Sequence, residues 1–99
     1  MLNIETKRNA SELTVVLYGR LDTNTAPELE AVLKTALEGV EELTFDLEKQ
    51  DYISSAGLRV LLAAQKTMNR QGSMKVKNAN EIIMEIFEVT GFADILTIE

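Results

Sequence analysis

The chain opens on two strand-like segments, residues 2 to 8 and 12 to 19, the second running Leu13-Thr14-Val15-Val16-Leu17-Tyr18 and rich in β-branched and aromatic side chains. A polar turn around Asn9-Ala10-Ser11 joins them, which predicts a hairpin. The period then changes. Ala26, Leu29, Val32, Leu33, Ala36 and Leu37 recur at helical spacing. Thr25 stands three residues before Glu28 in capping-box spacing, Pro27 lies in the first turn where its missing N–H costs nothing, and Gly39 sits where a C-terminal glycine belongs. Leu43, Phe45 and Leu47 alternate with polar residues and predict a third strand at about 42 to 47. It leads through Glu48-Lys49-Gln50-Asp51-Tyr52-Ile53 to two serines and a helix, Leu58 to Arg70, which Gln71-Gly72 ends. A short strand over Met74 to Lys77 follows. Asn80 can then cap a third helix marked by Ile82, Ile83, Ile86 and Phe87 and stopped near Gly91. Phe92 to Ile98 fits a last helical turn plus a short strand, and the pattern does not choose between them.

The order β-β-α-β-α-β-α places helices between successive later strands, which implies parallel pairing through right-handed crossovers. An α/β domain with a mixed sheet covered by helices results. In such sheets function gathers beyond the carboxyl ends of the parallel strands. Two loops are expected there, Gly19 to Thr25 after the second strand and Asp51 to Ser55 after the third. If those strands are neighbours, Asp22 comes close to Ser55.

Ser54-Ser55-Ala56-Gly57-Leu58-Arg59 puts two hydroxyls where strand becomes helix. Such a serine either caps the helix, accepting an orphan N–H of the first turn, or offers an address for phosphate. At about 100° per residue, with Arg59 at zero, Lys66 falls at about −20°, Arg70 at about +20° and Ser55 at about −40°. Val60, Leu61, Ala64 and Met68 cluster opposite and are expected in the core, with Leu62 bordering the basic stripe. The stripe is either the solvated side of an amphipathic helix or, with Leu62, a docking surface. A phosphate on Ser55 would add about −1.5 to −2 charges at pH 7. The helix N-terminus and Arg59, one turn on, favour it. Asp22 across the cleft opposes it. Asp22-Thr23-Asn24 reads equally well as a turn of helix-capping residues.

Composition narrows the chemistry. With 99 residues the chain is expected to form one domain, 1–99, burying roughly 60 to 70% of its unfolded surface. It has no His and no Cys, which removes imidazole bases, thiolate nucleophiles and N/S-ligated zinc. There is no Ser-x-x-Lys run, Gly-x-Ser-x-Gly elbow, P-loop or Gly-x-Gly-x-x-Gly fingerprint. Asp22, Asp46 and Asp51 do not make a receiver-type metal site, because no lysine occupies a suitable late-strand position. No catalytic residue, cofactor or metal is therefore expected. A net charge of −6 argues against nucleic acid as a partner. That charge is polarised, with five bases and no acid from Tyr52 to Asn80, then five acids and no base from Glu81 to Glu99. No apolar run approaches bilayer length and the N-terminus lacks signal-peptide regions, so no direct membrane contact and a cytoplasmic location are expected.

Gly19-Arg20-Leu21-Asp22, Phe45-Asp46-Leu47 and Asp51-Tyr52-Ile53-Ser54-Ser55-Ala56-Gly57-Leu58-Arg59-Val60-Leu61 together strongly resemble bacterial STAS domains, above all single-domain anti-sigma factor antagonists. Val89-Thr90-Gly91-Phe92 with Ile95-Leu96 is similar to the family's closing segment. The resemblance implies a mixed, mostly parallel sheet of four to five strands, an antiparallel N-terminal hairpin strand and helices mainly on one face. It also implies a partner switch. The unmodified antagonist binds an anti-sigma factor that is a serine kinase of ATPase fold and frees the sigma factor. Phosphorylation of the serine two before the motif glycine, Ser55 here, breaks the complex, and a PP2C-type phosphatase restores it. The implied docking surface comprises Asp22, Thr23, Ser54, Ser55, Gly57, Leu58, Arg59, Leu62 and Lys66. Many members carry Asp before the acceptor and Ser or Thr after it, where this chain has Ser54 and Ala56. Alignment on Gly57 favours Ser55 as acceptor, with Ser54 as the cap or a minor acceptor. The other reading is a STAS subunit of a larger assembly, a lipid-transport complex or sensory scaffold, using the same surface as a constitutive interface.

Overall fold

In the computed structural model, which describes residues 2–99, the chain runs β1 (Leu2–Asn9), β2 (Glu12–Leu21), α1 (Ala26–Ala36), β3 (Glu42–Ile53), α2 (Ser55–Gln71), β4 (Ser73–Lys77) and α3 (Glu81–Thr90). A 3-10 turn, Phe92–Asp94, follows. The sheet order is β1-β2-β3-β4, with β1 antiparallel to β2 and the β2-β3 and β3-β4 pairs parallel. Strand alternation decides which face is covered. Leu13, Val15 and Leu17 of β2, Leu43, Phe45 and Leu47 of β3, and Met74 and Val76 of β4 are buried in one cluster. Leu29 and Leu33 of α1, Leu61, Ala64 and Met68 of α2, and Ile83 and Phe87 of α3 join the same cluster. On the other face Thr14, Tyr18, Thr44 and Asp46 are half-buried and Lys75 is exposed. The helices thus cover mainly one face, and Val60, Leu61, Ala64 and Met68 occupy the core as their spacing predicts.

Two expectations are corrected, and one left open is decided. Both central strands run further than the alternation indicates, β2 to Leu21 and β3 to Ile53, so the expected loop from Asp51 to Ser55 shrinks to Ser54. The apolar period is interrupted because β3 carries extra residues opposite β2. Register shifts fall between Val16 and Tyr18 and between Gly19 and Arg20, and the bulges turn Leu47, Gln50 and Ile53 inward at intervals of three. Second, Thr25 precedes α1 as expected, but its side chain makes no cap bond to the helix. Its hydroxyl instead donates to Arg20 O at 2.9 Å and accepts from Asp22 N at 2.8 Å. Third, the undecided C-terminal segment forms no full fifth strand. After the 3-10 turn, Ile98 makes a single parallel bridge to Val76. Val76 N donates to Thr97 O and Glu99 N to Val76 O, which covers that end of β4.

Gln50 explains how the long β3 is held. Fully buried, it donates through Nε2 to Gly19 O and Tyr52 O, both at 2.7 Å, while Asn80 Nδ2 donates to Gln50 O at 3.1 Å. A single amide therefore bridges the bulges, and the cap residue of α3 is tied to the same point. Gln50→Ala removes the donor from two part-buried carbonyls and opens a cavity where a fully buried side chain stood, an expected loss of about 2 to 4 kcal/mol. Urea unfolding measures it, and an unchanged midpoint would refute the account. Among the described residues, no helix is long and apolar enough to cross a membrane.

Candidate docking and modification site

Parallel pairing of β2 and β3 brings their carboxyl ends side by side. Ser54 N donates to Leu21 O at 2.8 Å, which sets the loop beginning at Asp22 against the start of α2. Ser54 is the extended N-cap residue, and its hydroxyl accepts from Gly57 N at a long 3.4 Å. Leu58 N completes the first turn by donating to Ser54 O at 2.9 Å. Ser55, the first helical residue, is exposed, and so is Arg59 one turn later. The two serines are thus separated by role: one side chain closes the helix, and the other faces solvent beside the first-turn N–H groups, where an anion is favoured.

The remaining motif residues divide between surface and interior. Gly57 is buried, and a Cβ there would lie 2.6 Å from Leu21 Cγ and 3.1 Å from Ile53 Cγ2, so its lack of a side chain lets α2 approach the strand ends closely. Leu58 is only 4% exposed. Leu62 is half-buried and Lys66 exposed. Thr23 is exposed and shares a shallow groove between α1 and α2 with Ala56 and Arg59. Arg20 places its guanidinium 4.5 Å from the centre of the Tyr52 ring, at cation–π range, and 3.9 Å from Asp22 Oδ2.

Asp22 is first a structural residue. Its Oδ1 accepts from Asn24 N at 2.9 Å and Thr25 N at 3.0 Å, with the Thr25 hydroxyl oxygen 3.2 Å away. The bond from the Thr25 backbone holds its carboxyl below the usual carboxylate range; the Asn24 N–H, the Thr25 hydroxyl and Arg20 act in the same sense, against partial desolvation. The folded pKa is therefore lower than the unfolded one. The resulting stability is complete above the unfolded value, about 3.9, and is lost as pH falls through the lowered folded value. Thermal melts between about pH 5 and pH 2 should show a smaller acid-induced loss for Asp22→Asn than for the unsubstituted chain. Equal losses would remove Asp22 from this role.

A second groove opens on the other side of Ser55. It has a volume of about 370 Å³ between the start of α2 and α3, with Ser54, Ser55 and Leu58 on one wall and Ile82, Ile86 and Val89 on the other. In the sequence Ile82 stands out only as a marker of α3, and Val89 only as part of the closing segment. Both are in fact exposed. The signal that could have found them is the extra apolar stripe on α3, beyond the one that Ile83 and Phe87 need for the core. Among the described residues there is no cluster of three or more His, Cys, Asp or Glu that could hold a metal ion.

A β1-β2 hairpin followed by parallel crossovers, with an exposed serine opening the helix after β3, defines a small α/β domain whose distinctive chemistry lies on its surface. The chain belongs to the STAS domain family: the family model described as "Mlab, STAS domain" matches residues 4–97. It is 32% identical over 98 residues to the anti-sigma-B factor antagonist of Bacillus subtilis (strain 168), covering 98% of this chain and 90% of that protein. Its fold is that of an anti-sigma factor antagonist from Mycobacterium paratuberculosis, with a TM-score of 0.89 at 19% identity over 99% of this chain and 85% of that one. The Bacillus cell fate determinant SpoIIAA in its phosphorylated form has the same fold, with a TM-score of 0.76 at 16% identity over 98% of this chain and 91% of that one.

Proposed function

We propose that this chain is an anti-sigma factor antagonist that works as a cytoplasmic partner switch, and that Ser55 is its phosphorylation site. The observation carrying the reading is the division of labour between the two serines. Ser54 is engaged as the helix cap, while Ser55 is exposed with Arg59 one turn away. The relationship to the Bacillus subtilis antagonist over nearly the whole chain supplies the class of partner.

In its unmodified form the domain docks on an anti-sigma factor that is itself a serine kinase, and sigma factor is released. Asp22, Thr23, Ser54, Ser55, Arg59, Leu62 and Lys66 form the contact surface, with Gly57 and Leu58 shaping it from beneath. The kinase transfers the γ-phosphoryl group of ATP to the Ser55 oxygen, which loses its proton as ADP leaves. The phosphate is accommodated by the helix N-terminus and Arg59, while its charge and hydration are incompatible with a closed interface. A PP2C-type phosphatase reverses the step by hydrolysis. The domain is the substrate of both enzymes and catalyses neither reaction.

Incubation with the cognate anti-sigma factor kinase and ATP, followed by peptide mass spectrometry, tests the assignment. Phosphate is expected on Ser55 and absent from Ser55→Ala, which retains partner binding. Phosphate on Ser54 alone would reverse the assignment. No phosphate on either serine, with a stable complex, would indicate a constitutive interface.

A further inference from the structure

We infer that the groove between α2 and α3 receives an apolar anchor from a basic segment of the anti-sigma factor, so that α3 forms half of the docking surface. The inference rests on the antagonist reading above and names a partner chemistry that the motif residues do not. Its basis is the distribution of side chains around α3. At about 100° per residue, with Ile82 at zero, Ile83 and Phe87 fall at about 100° and 140°, Ile86 and Val89 at about 40° and −20°, and Glu85, Glu81 and Glu88 at about −60°, −100° and −120°. Ile83 and Phe87 are fully buried, as a core stripe should be. The adjacent apolar stripe lacks such cover. Ile82 is 60% and Val89 80% exposed, while Ile86 is half-buried between them and the core.

Scattered exposed apolar residues need no explanation, but these converge on one groove. Of the four large apolar or aromatic side chains exposed among the described residues, Tyr52, Ile82 and Val89 line it. Its volume of about 370 Å³ lies beside the Ser55 hydroxyl, where an interface and a modification site would meet. A helical partner segment would seat anchors at spacings of three and four residues in such a groove.

Charge selects the occupant. Glu81, Glu85 and Glu88 are exposed along the outer side of the apolar stripe, and no base occurs from Glu81 to Glu99. This rim repels an anionic lipid surface and a phosphate backbone, and attracts Lys and Arg flanking an apolar side chain. A basic amphipathic protein segment satisfies the apolar groove and its acidic α3 rim.

The test compares the cognate anti-sigma factor kinase binding to the unsubstituted chain, to Val89→Lys, to Arg59→Ala and to the triple substitution Glu81→Gln, Glu85→Gln, Glu88→Gln, using calorimetry without ATP. Circular dichroism confirms the fold of each variant. Val89→Lys is expected to weaken binding at least about 10-fold, because it removes the apolar contact and sets a cation against a basic partner. The triple substitution is expected to flatten the fall in affinity between about 50 and 500 mM salt. Affinity of Val89→Lys equal to that of the unsubstituted chain overturns the groove proposal; a loss in Arg59→Ala within the same series leaves the antagonist reading standing. Failure of the unsubstituted chain to bind overturns both. A dimer of the unsubstituted chain in sedimentation velocity, dissociated by Val89→Lys, assigns the groove to a second copy and also overturns the proposal.

Discussion

Phosphorylation of Ser55 is expected to lower affinity for the anti-sigma factor kinase at least about 100-fold, equivalent to about 2.7 kcal/mol or more. The direction follows from the position of the hydroxyl. Ser55 lies at the rim of an apolar groove with Glu85 among its lining residues, and Asp22 is set against the start of α2 across the strand ends. A group carrying about −1.5 to −2 charges cannot be enclosed there without losing its hydration. Folding should be almost unaffected, since the first turn of α2 accepts an anion and Ser55 is not in the core. The measurement is calorimetric titration of the purified phosphorylated protein, alongside its melting temperature. Unchanged affinity would reject the switch; lost affinity with a collapsed melt would make the effect structural.

A large effect on stability is expected from Gly72→Ala, at the exposed end of α2. A Cβ there would lie 1.8 Å from the carbonyl oxygen of Glu41 and 2.5 Å from its carbon. Both are backbone atoms, so no rotamer change can make room. The surrounding chain is also pinned. Gly72 N donates to Met68 O at 2.7 Å, Ser73 N donates to Glu41 O at 2.8 Å, and the parallel ladder of β3 and β4 begins at Glu42 and Ser73. Gln71 Nε2 donates to Leu37 O and Val40 O, tying the helix end to the segment that enters β3. Relief requires moving the helix end away from the strand, at an expected cost of about 3 kcal/mol or more. For a domain of this size that lowers the melting temperature by about 12 °C or more. Gly91→Ala supplies the contrast: φ is +83° but nothing lies within 4 Å of a Cβ, so only backbone strain of about 1 to 2 kcal/mol is expected. Equal melting temperatures for the two variants would refute the steric account.

The helices were legible because their signals are local. The periods of α1, α2 and α3, the Asn80 cap and the turn at Gly91 depend on residues within a few positions of one another, and each lies where the spacing places it. The candidate serines were legible for the same reason, since Ser54 and Ser55 precede a clear amphipathic run. Thr25 shows where local reasoning stops. Its distance from Glu28 fits a capping box, yet the folded loop offers its hydroxyl Arg20 O and Asp22 N, and those partners prevail. The end of β3 was hidden similarly, because a strand carrying two bulges has no simple period, and Gln50 resembles a loop residue until Gly19 O and Tyr52 O lie beside it.

By itself, then, the sequence determined the order of elements, the parallel crossovers, the absence of His and Cys chemistry, and the junction at Ser54 and Ser55. Periodicity, capping and composition suffice for these, since each is a property of the chain or of residues close along it. Only the tertiary structure decided that Ser54 lies against Leu21, that Gln50 is buried, and that Ile82 and Val89 stay exposed beside Ser55. A helix period shows that a face is apolar. Whether another element covers that face depends on contacts between distant parts of the chain, and on α3 the sheet covers the stripe of Ile83 and Phe87 while Ile82 and Val89 remain open to solvent.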